Sequence, residues 1–246
     1  MLNLKNGLLG AVVGGVTLLG LAAAPVMAQD SSAPAKHKES QPSKDEKKAE
    51  KQEKKAEKQE KKAEQAGKTA KVGEAAPAFE LKDTDGKAVK LSDYKGKIVV
   101  LEWFNPACPA VKASYEAKTT QHAQDAFKGK DVVFLAINSG GPGKEGADAK
   151  DNVKARKDWN MTQPVLMDSD GKVGHAYGAT NTPHVFVIDA KGNLAYAGAI
   201  DDGSFGKPGK TNYIETTVNA LLKGESVTPS TTKAYGCSVK YGKQGA

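Results

Sequence analysis

The chain has 246 residues and a formal net charge of +7, with hydrophobic residues at 39% and charged residues at 26%. That apolar content is low for a folded domain and high for a wholly disordered chain, so polar segments dilute an ordinary core. Two cysteines exclude a disulfide-dense mini-protein and a four-cysteine zinc or iron–sulfur site, and aromatic residues at 6% are too few for a nucleic-acid stacking platform.

Residues 1–28 read as a secretory signal peptide. Lys5 is the only charge, Leu8 to Ala24 is apolar or small apart from Thr17, and Val26-Met27-Ala28 fits the small-x-small cleavage rule. The apolar stretch sits at the short limit for a membrane span. The mature protein is therefore expected to be exported, periplasmic or secreted, with no membrane span after cleavage, in a compartment where two cysteines can pair.

Residues 29–71 form a low-complexity Lys/Glu-rich tether, with the heptad EKKAEKQ starting at Glu46 and Glu53 and a variant at Glu60. Only alanine (Ala49, Ala56, Ala63) is apolar in each repeat, and a coiled coil needs two larger apolar positions. Glu50 with Lys54 and Glu57 with Lys61 give favourable i,i+4 pairs. The segment is expected to be a helical or disordered spacer. It holds 13 lysines against 9 acidic residues, whereas residues 72–246 hold 22 basic against 20 acidic residues. The folded part is nearly neutral, so no nucleic-acid partner is expected.

Residues 72–246 suffice for one domain with one sizeable core. Leu81 to Leu91 reads as a small hairpin around Asp83-Thr84-Asp85-Gly86. Lys97 to Trp103 and Val132 to Ile137 are near-continuous apolar runs, as expected of strands buried on both faces. A single helix is predicted from about Pro109 to Phe127 and another over Ala147 to Trp159. Pro164 to Met167 is a short strand. Val185 to Asp189 and Leu194 to Ala197 form a hairpin across Lys191-Gly192-Asn193. A closing helix runs from Asn212 to Lys223, with Val218, Leu221 and Leu222 on one side. Strand, helix, strand, helix, hairpin and helix in that order imply an α/β sandwich with a mixed sheet.

Cys108 follows the strand centred on Val100, where Pro109 opens a helix. A cysteine there faces free N–H groups and the positive end of the helix dipole, which favour thiolate and nucleophilic sulfur chemistry. Ligands also gather beyond the carboxyl ends of strands in such sheets. His175 and His184 flank the loop before Val185, but their spacing, like that of His37 and His122, does not make a metal site. Asp168-Ser169-Asp170-Gly171 reads as a turn. Gly140-Gly141-Pro142-Gly143 lacks the Lys-Ser/Thr of a phosphate loop.

The runs Ala76-Pro77-Ala78-Phe79, Trp103-Phe104-Asn105-Pro106-Ala107-Cys108-Pro109, Thr182-Pro183-His184-Val185, Gly198 to Asp202 and Tyr235-Gly236-Cys237 occur in an order that resembles the thioredoxin-fold redoxins. The resemblance is to the alkyl hydroperoxide reductase/thiol-specific antioxidant group, with its exported peroxiredoxin-like members. It implies a thioredoxin-like three-layer α/β/α sandwich with a mixed central sheet, Cys108 as the nucleophile, and Pro183, preceded by Thr182, as a cis-proline facing it. It implies no cofactor and no metal. The partners would be a thiol reductant or a disulfide-bearing protein, or a peroxide substrate; the sequence sets no oligomeric state.

Departures from the family pattern shape the functional expectation. The position three after Cys108 is Val111, so there is no CxxC dithiol. Asn105 and Leu101 stand where peroxiredoxins carry Thr or Ser and Pro, and the only arginine is Arg156. Cys237 has three readings: a resolving cysteine for an oxidised Cys108, half of a permanent disulfide adding about 3–5 kcal/mol, or an unpaired thiol. The expected function is an exported thiol-dependent redox protein using Cys108, possible resolution falling to Cys237. The alternative is a non-catalytic binding or structural envelope protein stapled by Cys108–Cys237.

Overall fold

The structure, a computed structural model, describes residues 69–243. The signal peptide expected over 1–28, and all but the last residues of the tether expected over 29–71, lie outside the described residues. Among the described residues no helix is long and apolar enough to cross a membrane.

The elements follow the expected order with additions. Strands β1 (Glu80–Asp83) and β2 (Ala88–Lys90) make the hairpin, and a 3-10 turn covers Leu91–Tyr94. Next come β3 (Ile98–Trp103), α1 (Pro109–Glu116), α2 (Thr119–Ala126), β4 (Val132–Asn138) and α3 (Ala149–Asp158). They are followed by β5 (Val165–Met167), α4 (Lys172–Tyr177), β6 (Asn181–Thr182), β7 (His184–Ile188), β8 (Leu194–Gly198), α5 (Tyr213–Lys223) and β9 (Cys237–Ser238).

Seven strands form one mixed sheet in the order β2-β1-β5-β4-β3-β7-β8, and β6 pairs with β9 in a separate ribbon. At the centre β3 runs parallel to β4 and antiparallel to β7, with Val100 opposite Phe134 and Val187. Every residue of β3 is buried, as its unbroken apolar run requires.

The alternation of side chains along β3 splits the core in two. Val99, Leu101 and Trp103 face a layer that includes Phe79, Tyr177, Phe186 and Leu194. Ile98 and Val100 face Ala123 and Phe127 of α2 and Ile214 and Val218 of α5. A third cluster around Phe104 and Val111 joins α1 to Ala155 of α3. The sandwich is therefore lopsided. Four helices cover one face, while α4, the segment before β1 and the residue Val239 cover the other.

Three sequence expectations need correction. The helix predicted over Pro109–Phe127 is two helices, broken at Lys118, whose φ of 59° is left-handed. No glycine or proline signals the break. It turns Tyr115 and Thr120, from separate helices, onto one buried carboxylate, Glu102. Leu222 does not join the apolar side of α5; it is 42% exposed, and Ile214, Thr217 and Val218 are buried instead. Asp168 is not merely a turn residue. It is buried, accepts from the Ser139 hydroxyl at 2.6 Å, and receives the N–H groups of Val173 and Gly174 at the start of α4. Ser139 in turn accepts from the Trp103 indole at 3.0 Å, so this network ties α4 to the end of β3.

Asn212 caps α5. Its carboxamide oxygen accepts from the N–H of Ile214 (3.0 Å) and Glu215 (3.3 Å), and its nitrogen donates to the Thr119 carbonyl at 2.8 Å. One residue thus satisfies orphan donors of α5 and fastens that helix to α2. Asn212→Ala is expected to lower unfolding stability by about 1–2 kcal/mol in urea titration, toward the upper end for a lost cap because the second contact goes too.

Candidate functional site

The site lies where β3 leaves the sheet. The chain continues through Phe104, whose N–H still donates to Ile137. Asn105 then makes the turn. Its side-chain oxygen accepts from the N–H of Ala107 at 2.8 Å, its nitrogen donates to the Glu145 carbonyl at 3.0 Å, and its own carbonyl accepts from the N–H of Cys108 at 3.0 Å. This Asx-type turn delivers Cys108 to the N-cap of α1, with Pro109 as the first helical residue.

Cys108 is only 3% exposed. Its sulfur donates to the Thr182 carbonyl at 3.1 Å. The Thr182–Pro183 peptide is cis. Thr182 is also the strand partner of Cys237 in the antiparallel β6–β9 ribbon, which pairs Asn181 with Ser238 as well. The two cysteines are thereby brought together, and both are free thiols. Cys237, half-buried, packs against the apolar cluster that holds Cys108.

Gly236 makes this approach possible. Its φ is +112°, and a β-carbon there would run into the Thr182 carbonyl oxygen. A side chain at 236 would push Cys237 away from the site on both grounds.

The two thiols are unequal. Burial pushes Cys108 up, but the Cys237 thiol, the Thr182 hydroxyl (which has no other partner) and the N–H groups of Val111 and Cys237 pull it down. The pull wins, so Cys108 lies below the ordinary thiol range. Burial and the neighbouring Cys108 push Cys237 up to about 11. Cys108 is thus the thiol poised to ionise, and Cys237 the one that keeps its proton.

The remaining candidates fall into other roles. His184 is buried beside Pro183 and its Nδ1 accepts from the N–H of Thr180 at 3.3 Å. Burial drops its pKa to about 4, so it is neutral. His175 stacks on Tyr241 with ring centroids 4.0 Å apart. Among the described residues no group of three or more metal-ligating side chains is gathered. Arg156 reaches Thr84 at 3.0 Å and Asp85 at 3.3 Å, on contacts outside the cysteine pair. Both functional ends of Asn105 are taken, the oxygen by the turn and the nitrogen by the Glu145 carbonyl.

Glu102 was missed as a special residue by sequence reasoning, although a lone acid inside an apolar strand was the available signal. It is buried on the helix face, with Oε2 accepting from Tyr115 and Thr120, both at 3.0 Å, and Oε1 unpartnered. Burial raises its carboxyl to about 7, against the pull of those two hydrogen bonds.

The AhpC/TSA family profile matches residues 72–197. The thiol-disulfide oxidoreductase ResA of Bacillus subtilis is 34% identical over 122 residues, which are 50% of this chain and 64% of that protein. ResA of Geobacillus thermodenitrificans is 33% identical over 129 residues, covering 52% and 69%. Peroxiredoxin Bcp of Bacillus subtilis is 31% identical over 109 residues, covering 44% and 64%. The chain thus spans just under two thirds of the first of these relatives. Among solved structures, a hypothetical protein of Sinorhizobium meliloti superposes with a TM-score of 0.64 at 26% identity, covering 72% of this chain and 97% of that one. An uncharacterized conserved protein of Geobacillus kaustophilus gives the same TM-score at 28% identity, covering 72% and 94%. The mixed-sheet α/β fold is of the thioredoxin type, and the chain belongs to the AhpC/TSA family.

Proposed function

We propose that this protein is an exported thiol–disulfide oxidoreductase, with residues 72–246 as its redox domain, Cys108 as nucleophile and Cys237 as resolving cysteine. The supporting observation is the placement of the Cys108 sulfur, 3.1 Å from the Thr182 carbonyl, under the strand partner of Thr182 that carries the second thiol. Thr182 and Pro183 act as the platform that sets this geometry. The names of two relatives, both thiol-disulfide oxidoreductases, point the same way. Export rests on the sequence of residues 1–28.

The chemistry balances without a cofactor. The Cys108 thiolate attacks one sulfur of a partner disulfide, that S–S bond breaks, and the other partner sulfur leaves as a thiolate and takes a proton. Cys237 loses its proton and attacks the Cys108 sulfur of the mixed disulfide, and the second partner sulfur leaves as a thiol. The partner disulfide has gained two electrons and two protons, and the pair Cys108–Cys237 has become a disulfide. An external dithiol then reduces the Cys108–Cys237 disulfide by two exchanges, regenerating both thiols and itself becoming a disulfide. The unequal thiols suit this order, since the one that ionises first attacks first.

Disulfide exchange is favoured over peroxide reduction by two observations. Asn105 is committed to the turn and Arg156 to Thr84 and Asp85, so neither is free to polarise an O–O bond at Cys108. Mild oxidation followed by non-reducing peptide mapping is expected to give one Cys108–Cys237 bridge that glutathione buffers open and close. The same protein is expected to reduce insulin disulfides with dithiothreitol as donor faster than it consumes hydrogen peroxide. No bridge would overturn the proposal, and a bridge that resists strong dithiol would overturn it in favour of the stapled, non-catalytic alternative.

A further inference from the structure

Cys108 reacts only if a partner sulfur can reach it, yet it is almost fully covered. Part of its cover is the C-terminal segment Tyr235 to Gly242, where Cys237 packs on the cluster that holds Cys108 and Gly236 lies against Ala110, and the attachment of this segment is unlike that of the core. Tyr235 donates to Asp201 Oδ1 at 2.5 Å on one side of Cys237. On the other side the N–H of Val239 donates to Thr180 at 3.0 Å, and the Lys240 carbonyl accepts from Gly141 at 2.9 Å. Tyr241 stacks on His175 and donates to the Ala179 carbonyl at 2.7 Å. In between, the only ladder is the two-residue β6–β9 pairing.

No residue from 235 to 242 is fully buried, although the cysteine beneath them is. Lifting the segment therefore breaks a few hydrogen bonds and one ring stack, and withdraws only the partly buried Val239 and Tyr235 from the two large apolar clusters. Such segments occupy the low end of local stability. Gly141 records how closely the segment lies, because a β-carbon there would run into the Gly242 backbone, and its other near neighbour is Tyr241.

Resting on the thiol-exchange proposal, we infer that residues 235–242 form a displaceable strap that shields Cys108 when closed and lifts to admit the extended, cysteine-bearing segment of a disulfide-containing protein. The vacated edge of Asn181 and Thr182 offers backbone groups that an extended chain pairs with, as β9 does. The strap also carries Cys237. Opening lets the partner in for the first attack, and closing returns the resolving thiol for the second. Access and resolution are coupled because one segment performs both.

The test uses full-length protein in a Cys237→Ser background, where Cys108 is the only thiol. Gly141→Ala pushes the strap off from below, and Tyr241→Ala removes its ring anchor. Alkylation of Cys108 by iodoacetamide, compared at equal thiolate fraction from the pH profile, is expected to run roughly tenfold faster in these variants than in the Cys237→Ser parent. Amide exchange at Val239 rises with it, while amides of β3 and β4 keep their protection. Acceleration in either variant with that core protection intact supports the strap. The parent rate in both, or acceleration only with lost core protection, overturns it. Alkylation needs no redox turnover, so the strap fails or stands separately from the exchange chemistry, which fails by absence of the reversible bridge.

Discussion

Cys108→Ser is expected to reduce insulin-disulfide turnover by at least about a thousandfold, to the rate of dithiothreitol alone. Serine keeps the shape and the contact to the Thr182 carbonyl, so the fold survives and the loss is chemical. A hydroxyl cannot form the mixed disulfide, and no second CxxC thiol can take over. Cys237→Ser behaves differently. Cys108 still attacks, but the mixed disulfide has no internal resolver and accumulates. Non-reducing electrophoresis with a protein disulfide is expected to show covalent adducts in Cys237→Ser, none in Cys108→Ser, and few in the parent. Equal turnover in the parent and Cys108→Ser would remove Cys108 from the chemistry.

The second large effect is a hidden pH dependence. Burial raises the Glu102 carboxyl from 4.5 to about 7, so the fold holds a proton that the unfolded chain has released between those values. Stability from this group is complete below pH 4.5 and is lost as pH rises through 7, by about 3 kcal/mol. Burial lowers His184 from 6.5 to about 4, so here the unfolded chain holds the extra proton. Stability from His184 is complete above pH 6.5 and is lost as pH falls through 4, by a similar amount, about 3 kcal/mol. The two slopes oppose each other between pH 4.5 and 6.5 and nearly cancel.

Glu102→Gln removes one slope and leaves the other. Urea midpoints of this variant are expected to climb steadily from pH 4.5 to 6.5, where the parent stays level. Above pH 7 the variant is expected to be the more stable protein, because it no longer buries a charge. A variant whose pH profile parallels the parent's would show that Glu102 is ionised in the fold at neutral pH without penalty.

Much of this arrangement was legible from local pattern. The runs in β3, β4 and β7 were readable because strands buried on both faces carry almost nothing but apolar residues. Cys108 was readable because a proline just after it marks where a strand gives way to a helix. What escaped was set by distant contacts. The break at Lys118 has no local breaker and follows from two side chains converging on Glu102. Helix α4 is six residues long and contains a glycine, so no period could reveal it; Asp168 holds its start. Leu222 fitted an apolar side by spacing, but the helix turns Thr217 inward in its stead. The meeting of Cys108 with Cys237 depends on a two-residue ribbon, too short to leave any pattern of its own.

The late position of Cys237 also has a temporal side. As the polypeptide grows, β3, β4 and the turn at Asn105 are all made before the residues that close over the reactive sulfur. A nascent chain therefore carries an uncovered Cys108, still without the Cys237 groups that lower its pKa, for the whole interval in which its C-terminal third is being synthesised. Any oxidant or stray disulfide in its surroundings meets that sulfur before Cys237 exists to resolve the adduct.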